Sequence, residues 1–144
     1  QFTEGSGFRT VIGDAVERDD AKVKRIVLCA GQVYYDLAAG RKERGMEEEV
    51  AIVRVEQLYP FPYEVLAAEL SRYTNATEIM WAQEEPKNQG AWYQIRHRIE
   101  AVSTDKQKVL FAGRPASASP AVGYMSKHAA QLKALVDDAF NLEA

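Results

Sequence analysis

Short apolar runs alternate along this chain with longer stretches in which apolar residues recur every three or four positions. Four such runs occupy residues 25–30, 50–55, 78–83 and 108–112. Runs of this length and composition are typical of strands covered on both faces of a parallel sheet. We therefore predict four parallel strands in the interior of the domain, each followed by a helix.

The stretches after these runs carry the signals of helix starts and ends. Basic residues precede Gly45, as expected at the carboxyl end of the first helix. Pro60 and Pro62 fix the path into the second helix, Trp92 begins the apolar stripe of the third, and Ser126 is placed to cap the fourth. This alternation predicts a three-layer α/β/α domain with a mostly parallel sheet and right-handed connections.

The first 24 residues differ from the rest of the chain. Apolar residues within 8–12 suit a short strand, which Gly13 and Asp14 interrupt. We predict an amino-terminal arm with a possible edge strand at residues 1–24 and a single α/β domain at residues 25–144. Because the sequence has no initiator methionine, we expect it to be a piece of a longer protein.

Composition and charge narrow the class of protein. The chain has 144 residues, a formal net charge of −3 and a pI of about 5.5, which leaves no electrostatic footprint for nucleic acid. No apolar run approaches the ~20 residues that a helix needs to span a bilayer. The one cysteine, Cys29, lies within an apolar run and has no partner for an internal disulfide. We expect an intracellular protein with a buried, unreactive thiol and neither nucleic acid nor membrane as a partner.

Polar residues follow each of the four predicted strands. They are Gly31, Gln32, Glu56, Gln57, Glu84, Glu85, Asn88, Gln89, Gly113, Arg114, Ser117 and Ser119. Because ligands bind outside the carboxyl ends of parallel strands, these groups are expected along one edge of the sheet. Three interpretations of that edge stay open: docking on a neighbouring domain or subunit, a ligand or effector site, and plain solvated surface.

The densest polar group lies at residues 84–92, which we expect to form a loop after the third strand. Glu84 and Glu85 precede a proline, two amides and a glycine. Because neighbouring residues in an extended segment point to opposite sides, helix capping or an ion pair fits these carboxylates better than a shared catalytic proton. Arg114 is suited either to clamp a carboxylate or phosphate or to pair with one of these glutamates.

Complete catalytic motifs are absent from the sequence. It contains no phosphate-binding loop, dinucleotide-binding glycine motif, nucleophile elbow, HExxH or CxxC. Ser117 and Ser119 suit hydrogen bonds within a turn, and His97 and His128 lack the spacing of metal ligands. We predict no catalytic residue and no metal ligand within this chain.

Three long motifs and one shorter motif resemble a known family. They are VRVEQLYPFP at residues 53–62, QEEPKNQGAW at 83–92, AGRPASASPAVGYMS at 112–126 and VYYDL at 33–37. Together they resemble the carboxyl-terminal region of 2-oxoglutarate dehydrogenase, the thiamine-dependent first component of its complex, in its bacterial form. The similarity runs in order through residues 25–143.

The resemblance implies a fold and a parent reaction. The fold is that of transketolase carboxyl-terminal domains, in which one strand of a five-stranded, mostly parallel sheet is antiparallel; we expect that strand near residues 8–12. The parent is a cytoplasmic oxidoreductase of the tricarboxylic acid cycle. It decarboxylates 2-oxoglutarate on thiamine diphosphate with Mg²⁺ and passes the succinyl group to a lipoyl arm of the second component. Since the cofactor lies between the two preceding domains, we expect none in this piece and no activity from it alone.

The resemblance also implies partners. The domain would contact the rest of its own chain and a homodimer partner, and the parent would meet the lipoyl-bearing second component. The candidate interface residues are Glu84, Glu85, Asn88 and Trp92. Some members of the family bind a nucleotide or acetyl-coenzyme A effector where domains meet, so an allosteric binding module is the alternative function. The candidate effector-binding residues, taken from the polar edge, are Arg114, Ser117 and Gln89.

Overall fold

Strands and helices follow one another in the order that the apolar pattern predicts. The computed structural model describes residues 11–14, 19–56, 61–86, 91–104, 106–114 and 125–140. The strands are β1 (Val11–Ile12), β2 (Arg25–Cys29), β3 (Val50–Val55), β4 (Glu78–Pro86) and β5 (Lys108–Arg114). The helices are α1 (Val33–Arg44), α2 (Tyr63–Leu70), α3 (Trp92–Val102) and α4 (Met125–Phe140), with a 3₁₀ turn at Asp20–Lys22.

The five strands form one sheet in the order β1-β3-β2-β4-β5. Strands β2 to β5 are parallel, and β1 pairs with β3 in the antiparallel direction, with Val11 opposite Val55. This confirms the expectation of a mostly parallel sheet with one antiparallel strand close to residue 12. Because β3 and β4 lie on opposite sides of β2, the direction of winding reverses between β2 and β4.

Alternate residues of each strand enter two separate cores. In β2, Ile26 and Leu28 pack into the core that α2 and α3 cover, while Val27 and Cys29 pack into the core that α1 and α4 cover. All of β2 is buried, as a strand must be when helices lie on both faces. The three predicted layers are therefore confirmed.

The predicted helix ends are right for α1 and wrong for α4. Gly45 has φ of 65°, and its N–H donates to the carbonyl oxygens of Arg41 and Lys42, which closes α1 as expected. Helix α4 begins at Met125, so Ser126 lies inside its first turn instead of at the cap position.

Strand β4 continues beyond the point at which the sequence suggested a loop. Glu84 and Glu85 belong to β4, whose pairing with β5 is interrupted after Ala82 and resumes where Pro86 lies opposite Arg114. Such an irregularity inserts unpaired residues into one strand and bends it. Gly113 allows the close approach, because a Cβ at this position would lie 2.8 Å from the Gln83 carbonyl oxygen.

Two buried arginines connect elements that are distant in sequence. The Arg25 guanidinium is 1% exposed; it donates to Glu78 Oε1 at 2.9 Å and to the carbonyl oxygens of Asp138 and Ala139 at 3.1 and 2.9 Å. It thereby attaches the last turn of α4 to the first residues of β2 and β4.

The second buried arginine, Arg41, connects α1 with β1 and β3. Its guanidinium forms a bidentate pair with Asp14, whose side chain is 1% exposed, and donates to the Val50 carbonyl oxygen at 3.0 Å. Asp14 also accepts a hydrogen bond from the Ile52 N–H at 2.9 Å. The backbone pairing of β1 with β3 ends after two residues, and the Asp14 carboxylate then accepts the hydrogen bond of another β3 N–H group, that of Ile52.

Candidate functional site at the carboxyl edge of the sheet

The polar residues predicted to share an edge of the sheet do so where the structure describes them. Since β2 to β5 are parallel, Gly31, Glu56, Glu84 and Gly113 all lie at or just beyond the carboxyl ends of their strands. This is the edge at which open α/β sheets bind their ligands.

The individual candidate residues are described to different extents. The backbones of Glu84 and Glu85 lie in the last part of β4, and that of Arg114 ends β5. Asn88, Gln89 and Ser117 lie outside the described residues. Their assigned roles in an interface or an effector site stay predictions.

Trp92 is part of the domain's own core. It begins α3, is 3% exposed, and packs against Phe111 with the ring centroids 5.1 Å apart. Trp81 is equally buried, and its Nε1–H donates to Gln83 Oε1 at 2.9 Å. Because these indole rings have little surface left, a contact near residues 84–92 would depend on the other side chains of the segment.

Sequence analysis did not predict the cluster of aromatic and charged side chains that lies at this edge. The Arg54 guanidinium lies over the rings of Tyr34 and Tyr35, at 4.7 and 5.8 Å from their centroids. Arg54 Nε is 3.4 Å from Glu56 Oε2, and the Gly31 N–H donates to the same oxygen at 3.4 Å. Two features of the sequence could have predicted part of this cluster. An arginine, Arg54, lies near the end of an apolar strand, and Glu56 follows two positions later on the same side.

Cys29 is buried at this end of β2, and its thiol is expected to stay neutral. It is fully buried, and burial raises the pKa of its thiol to about 12, with a further upward contribution from Glu56 and a downward one from Arg54. Because the thiolate is the nucleophilic form, the neutral thiol that persists at physiological pH is unreactive. The prediction that this cysteine is buried is confirmed, and the raised pKa is consistent with an unreactive thiol.

The described side chains offer little for metal chemistry. Within the described part of the chain, no three His, Cys, Asp or Glu side chains are grouped so that they could hold a metal ion. His97 is exposed on α3. None of the helices, where the structure describes them, is both long and apolar enough to cross a membrane.

Comparison with known proteins assigns this architecture to a family. A protein-family model described as "2-oxoglutarate dehydrogenase C-terminal" matches residues 1–140. The match covers both the antiparallel strand and the parallel sheet with its helices. It is consistent with a fold like that of transketolase carboxyl-terminal domains.

Curated relatives agree with the family match. The chain is 57% identical over 133 residues to a 2-oxoglutarate dehydrogenase E1 component from Cupriavidus necator, which covers 92% of this chain. It is 52% identical over 134 residues to the E1 component of Haemophilus influenzae and 50% identical over 138 residues to that of Azotobacter vinelandii. In each comparison the aligned part is 14% of the relative, so the chain spans about one seventh of the length of these proteins.

Proposed function

Because this chain belongs to the 2-oxoglutarate dehydrogenase C-terminal family, we propose that it acts as the carboxyl-terminal assembly domain of such an enzyme's first component. The observation that carries the proposal is the 57% identity to an E1 component over 92% of the chain. The parent reaction would be decarboxylation of 2-oxoglutarate, with transfer of the succinyl group to a lipoyl arm of the second component. Its proposed setting is the bacterial cytoplasm.

The cofactor would lie in another part of the parent enzyme. Thiamine diphosphate, held with Mg²⁺, supplies the carbanion-stabilising chemistry of such decarboxylations. Within the described residues no set of three metal-ligating side chains is available to hold that cation. We therefore assign no catalytic step to these residues, and the proposed role of this domain is to hold the parent in its active assembly.

Several features support an assembly role. Helices cover both faces of the sheet, so the edges remain as places for contact with other parts of a protein. Buried arginines tie α4, α1 and β1 rigidly to that sheet. A rigid domain whose contact groups sit at one edge is suited to bind the remaining domains and, through them, a homodimer partner. The alternative role as an effector site, with Arg114, Ser117 and Gln89, stays a prediction.

The proposal predicts that the domain is needed for turnover in a full-length enzyme. A full-length enzyme that ends just before the residue equivalent to Arg25 lacks most of this domain. It should lose 2-oxoglutarate decarboxylation and succinylation of a lipoyl domain, and it should form a weaker dimer. Steady-state kinetics and sedimentation of truncated and complete enzymes would test this. A truncated enzyme that keeps the dimer and the full turnover would reject the proposed function.

A further inference from the structure

The large apolar side chains that are exposed in this domain lie in the first turns of its helices. Among the described residues, Tyr35, Tyr63, Val65 and Tyr93 are the exposed large apolar side chains, at 63%, 42%, 52% and 56%. Each lies within the first three residues of its helix: Tyr35 in α1, Tyr63 and Val65 in α2, and Tyr93 in α3. Exposed apolar residues that have no role are usually scattered singly over a protein surface. These four residues instead share one kind of location, the start of a helix.

The four side chains therefore share one edge of the molecule. A helix that connects two parallel strands runs back against the strand direction, so its first turn lies at the carboxyl edge of the sheet. Helix α1 covers one face, and α2 and α3 cover the other. The side chains thus flank the carboxyl edge from both faces, and we call this set the tyrosine edge.

The opposite edge of the sheet has none of these exposed large apolar side chains. Among the described residues there, the amino ends of the strands and the carboxyl ends of the helices carry exposed side chains of Lys22, Lys24, Glu48 and Lys108. Lysine and glutamate are depleted from protein interfaces, whereas tyrosine and arginine are enriched in them. The contrast between the edges points to the carboxyl edge as the contact surface.

Two of the exposed tyrosines are held in place by neighbouring groups. The ring of Tyr35 packs edge-on against Tyr34 at 5.2 Å, and the Arg54 guanidinium lies over both rings. The ring of Tyr63 packs edge-on against the buried Phe61 at 5.0 Å. Rings fixed in this way lose little conformational freedom when a partner covers them, which favours their use as binding anchors.

The path of the chain indicates what covers this edge. Val11, the first residue of β1, lies opposite Val55 at the carboxyl end of β3, so the polypeptide reaches β1 from the tyrosine edge. The ten residues before Val11 can span at most about 36 Å. Chain that precedes them in a longer parent therefore begins within about 36 Å of the point at which β1 starts, at the tyrosine edge.

From this geometry we infer that the tyrosine edge docks on the preceding part of the same polypeptide in a full-length enzyme. The inference rests on the proposed function, since the matched relatives are about seven times as long as the part that aligns with this chain. The occupant is thus a domain of the parent's own subunit, held by tyrosine rings and the Arg54 cluster. A second subunit is the competing occupant.

Thiol labelling of a full-length enzyme tests the docking. Tyr35→Cys and Tyr93→Cys place thiols at the tyrosine edge, and Lys24→Cys and Lys108→Cys are matched controls at the opposite edge. Maleimide labelling, followed by peptide mass spectrometry, should be about tenfold or more slower at the tyrosine edge, because access limits the reaction. Equal labelling rates at the two edges would overturn the inference.

An unmodified enzyme supplies a second measurement that does not depend on how the cysteine variants fold. Hydroxyl-radical oxidation of Tyr35, Tyr63 and Tyr93 should be strongly reduced in the folded full-length enzyme relative to the same enzyme in denaturant. Oxidation of these tyrosines close to the denatured level would overturn the inference, while loss of turnover on truncation would still support the proposed function.

Photocross-linking identifies the occupant. Benzoylphenylalanine placed at Tyr93 of the full-length enzyme should form a cross-link that leaves the subunit mass unchanged on a denaturing gel. Peptide mapping should find the partner peptide in the preceding part of the same subunit. A product of doubled mass would identify a second subunit as the occupant and reject docking within one chain.

Discussion

The ion pair between Arg41 and Asp14 joins three elements through two nearly buried charges. The two side chains are 3% and 1% exposed, and Asp14 also accepts from the Ile52 N–H. Removing one partner of a buried pair leaves an uncompensated charge, which is much more destabilising than the absence of the whole pair. The Asp14 carboxylate therefore adds a buried ionic connection from β1 to α1 and β3, beside the backbone pairing of β1 with β3.

Replacing Asp14 with alanine should lower the free energy of unfolding by about 3–5 kcal/mol, because Arg41 stays buried without its counter-charge. Urea unfolding followed by circular dichroism measures the loss. Asp20→Ala is the matched control: Asp20 pairs with Arg72 at 3.3 Å near the surface, and its removal should cost about 1 kcal/mol or less. Equal losses for the two variants would contradict the account.

Burial of single residues was predictable only where the local sequence determines it. Cys29 lies in an unbroken apolar run, and this run was enough to predict its buried thiol. Arg25 reads as an ordinary charged residue at the start of a strand, and one of its acceptors lies 114 residues further along the chain. A local sequence pattern cannot reveal a partner this far away. The role of Arg25 therefore follows only from the packing of α4 beside β2.

At the scale of elements, the apolar runs predicted β2 and β3 well because both faces of these strands are buried. The end of β4 was placed too early, since Glu84, Glu85 and Pro86 look like the start of a loop. Strand pairing overrides that signal: β4 resumes its contact with β5 at Pro86 after an irregular stretch. Backbone pairing between distant segments is not encoded in the composition of either one.

The attachment of α4 gives a test at this scale. Arg25→Met removes the donor to the Asp138 and Ala139 carbonyl oxygens, so amide exchange in the last turn of α4 should accelerate more than in α1. The free energy of unfolding should fall by roughly 3 kcal/mol, as Glu78 also loses its buried partner.

The control for that test is Arg44→Met. Arg44 also reaches α4, through Asp137, but this pair lies at the surface, so its loss should leave amide exchange in α4 close to that of the unmodified protein. Hydrogen exchange measured by mass spectrometry compares the two variants. Unchanged exchange in α4 of the Arg25 variant would show that the buried arginine does not hold this helix.

At the scale of the whole molecule, the fold and family were predictable from the sequence, whereas the arrangement of the proposed contact surface was not. The long motifs identified the family because they occur in the family's order at several places along the chain, between residues 33 and 126. The grouping of Tyr35, Tyr63 and Tyr93 depends on the topology, which brings the first turns of three helices to one edge. The candidates Asn88, Gln89 and Ser117 lie outside the described residues, and their roles stay predictions.

The most direct test of the central claim is a domain exchange in the Cupriavidus necator relative. Its aligned carboxyl-terminal region would be replaced by this chain, and 2-oxoglutarate turnover would be measured together with dimer mass and thiamine diphosphate binding. The account predicts a dimeric enzyme with kcat/KM within about tenfold of the unmodified relative. A chimera that folds, dimerises and binds thiamine diphosphate but does not turn over 2-oxoglutarate would contradict it.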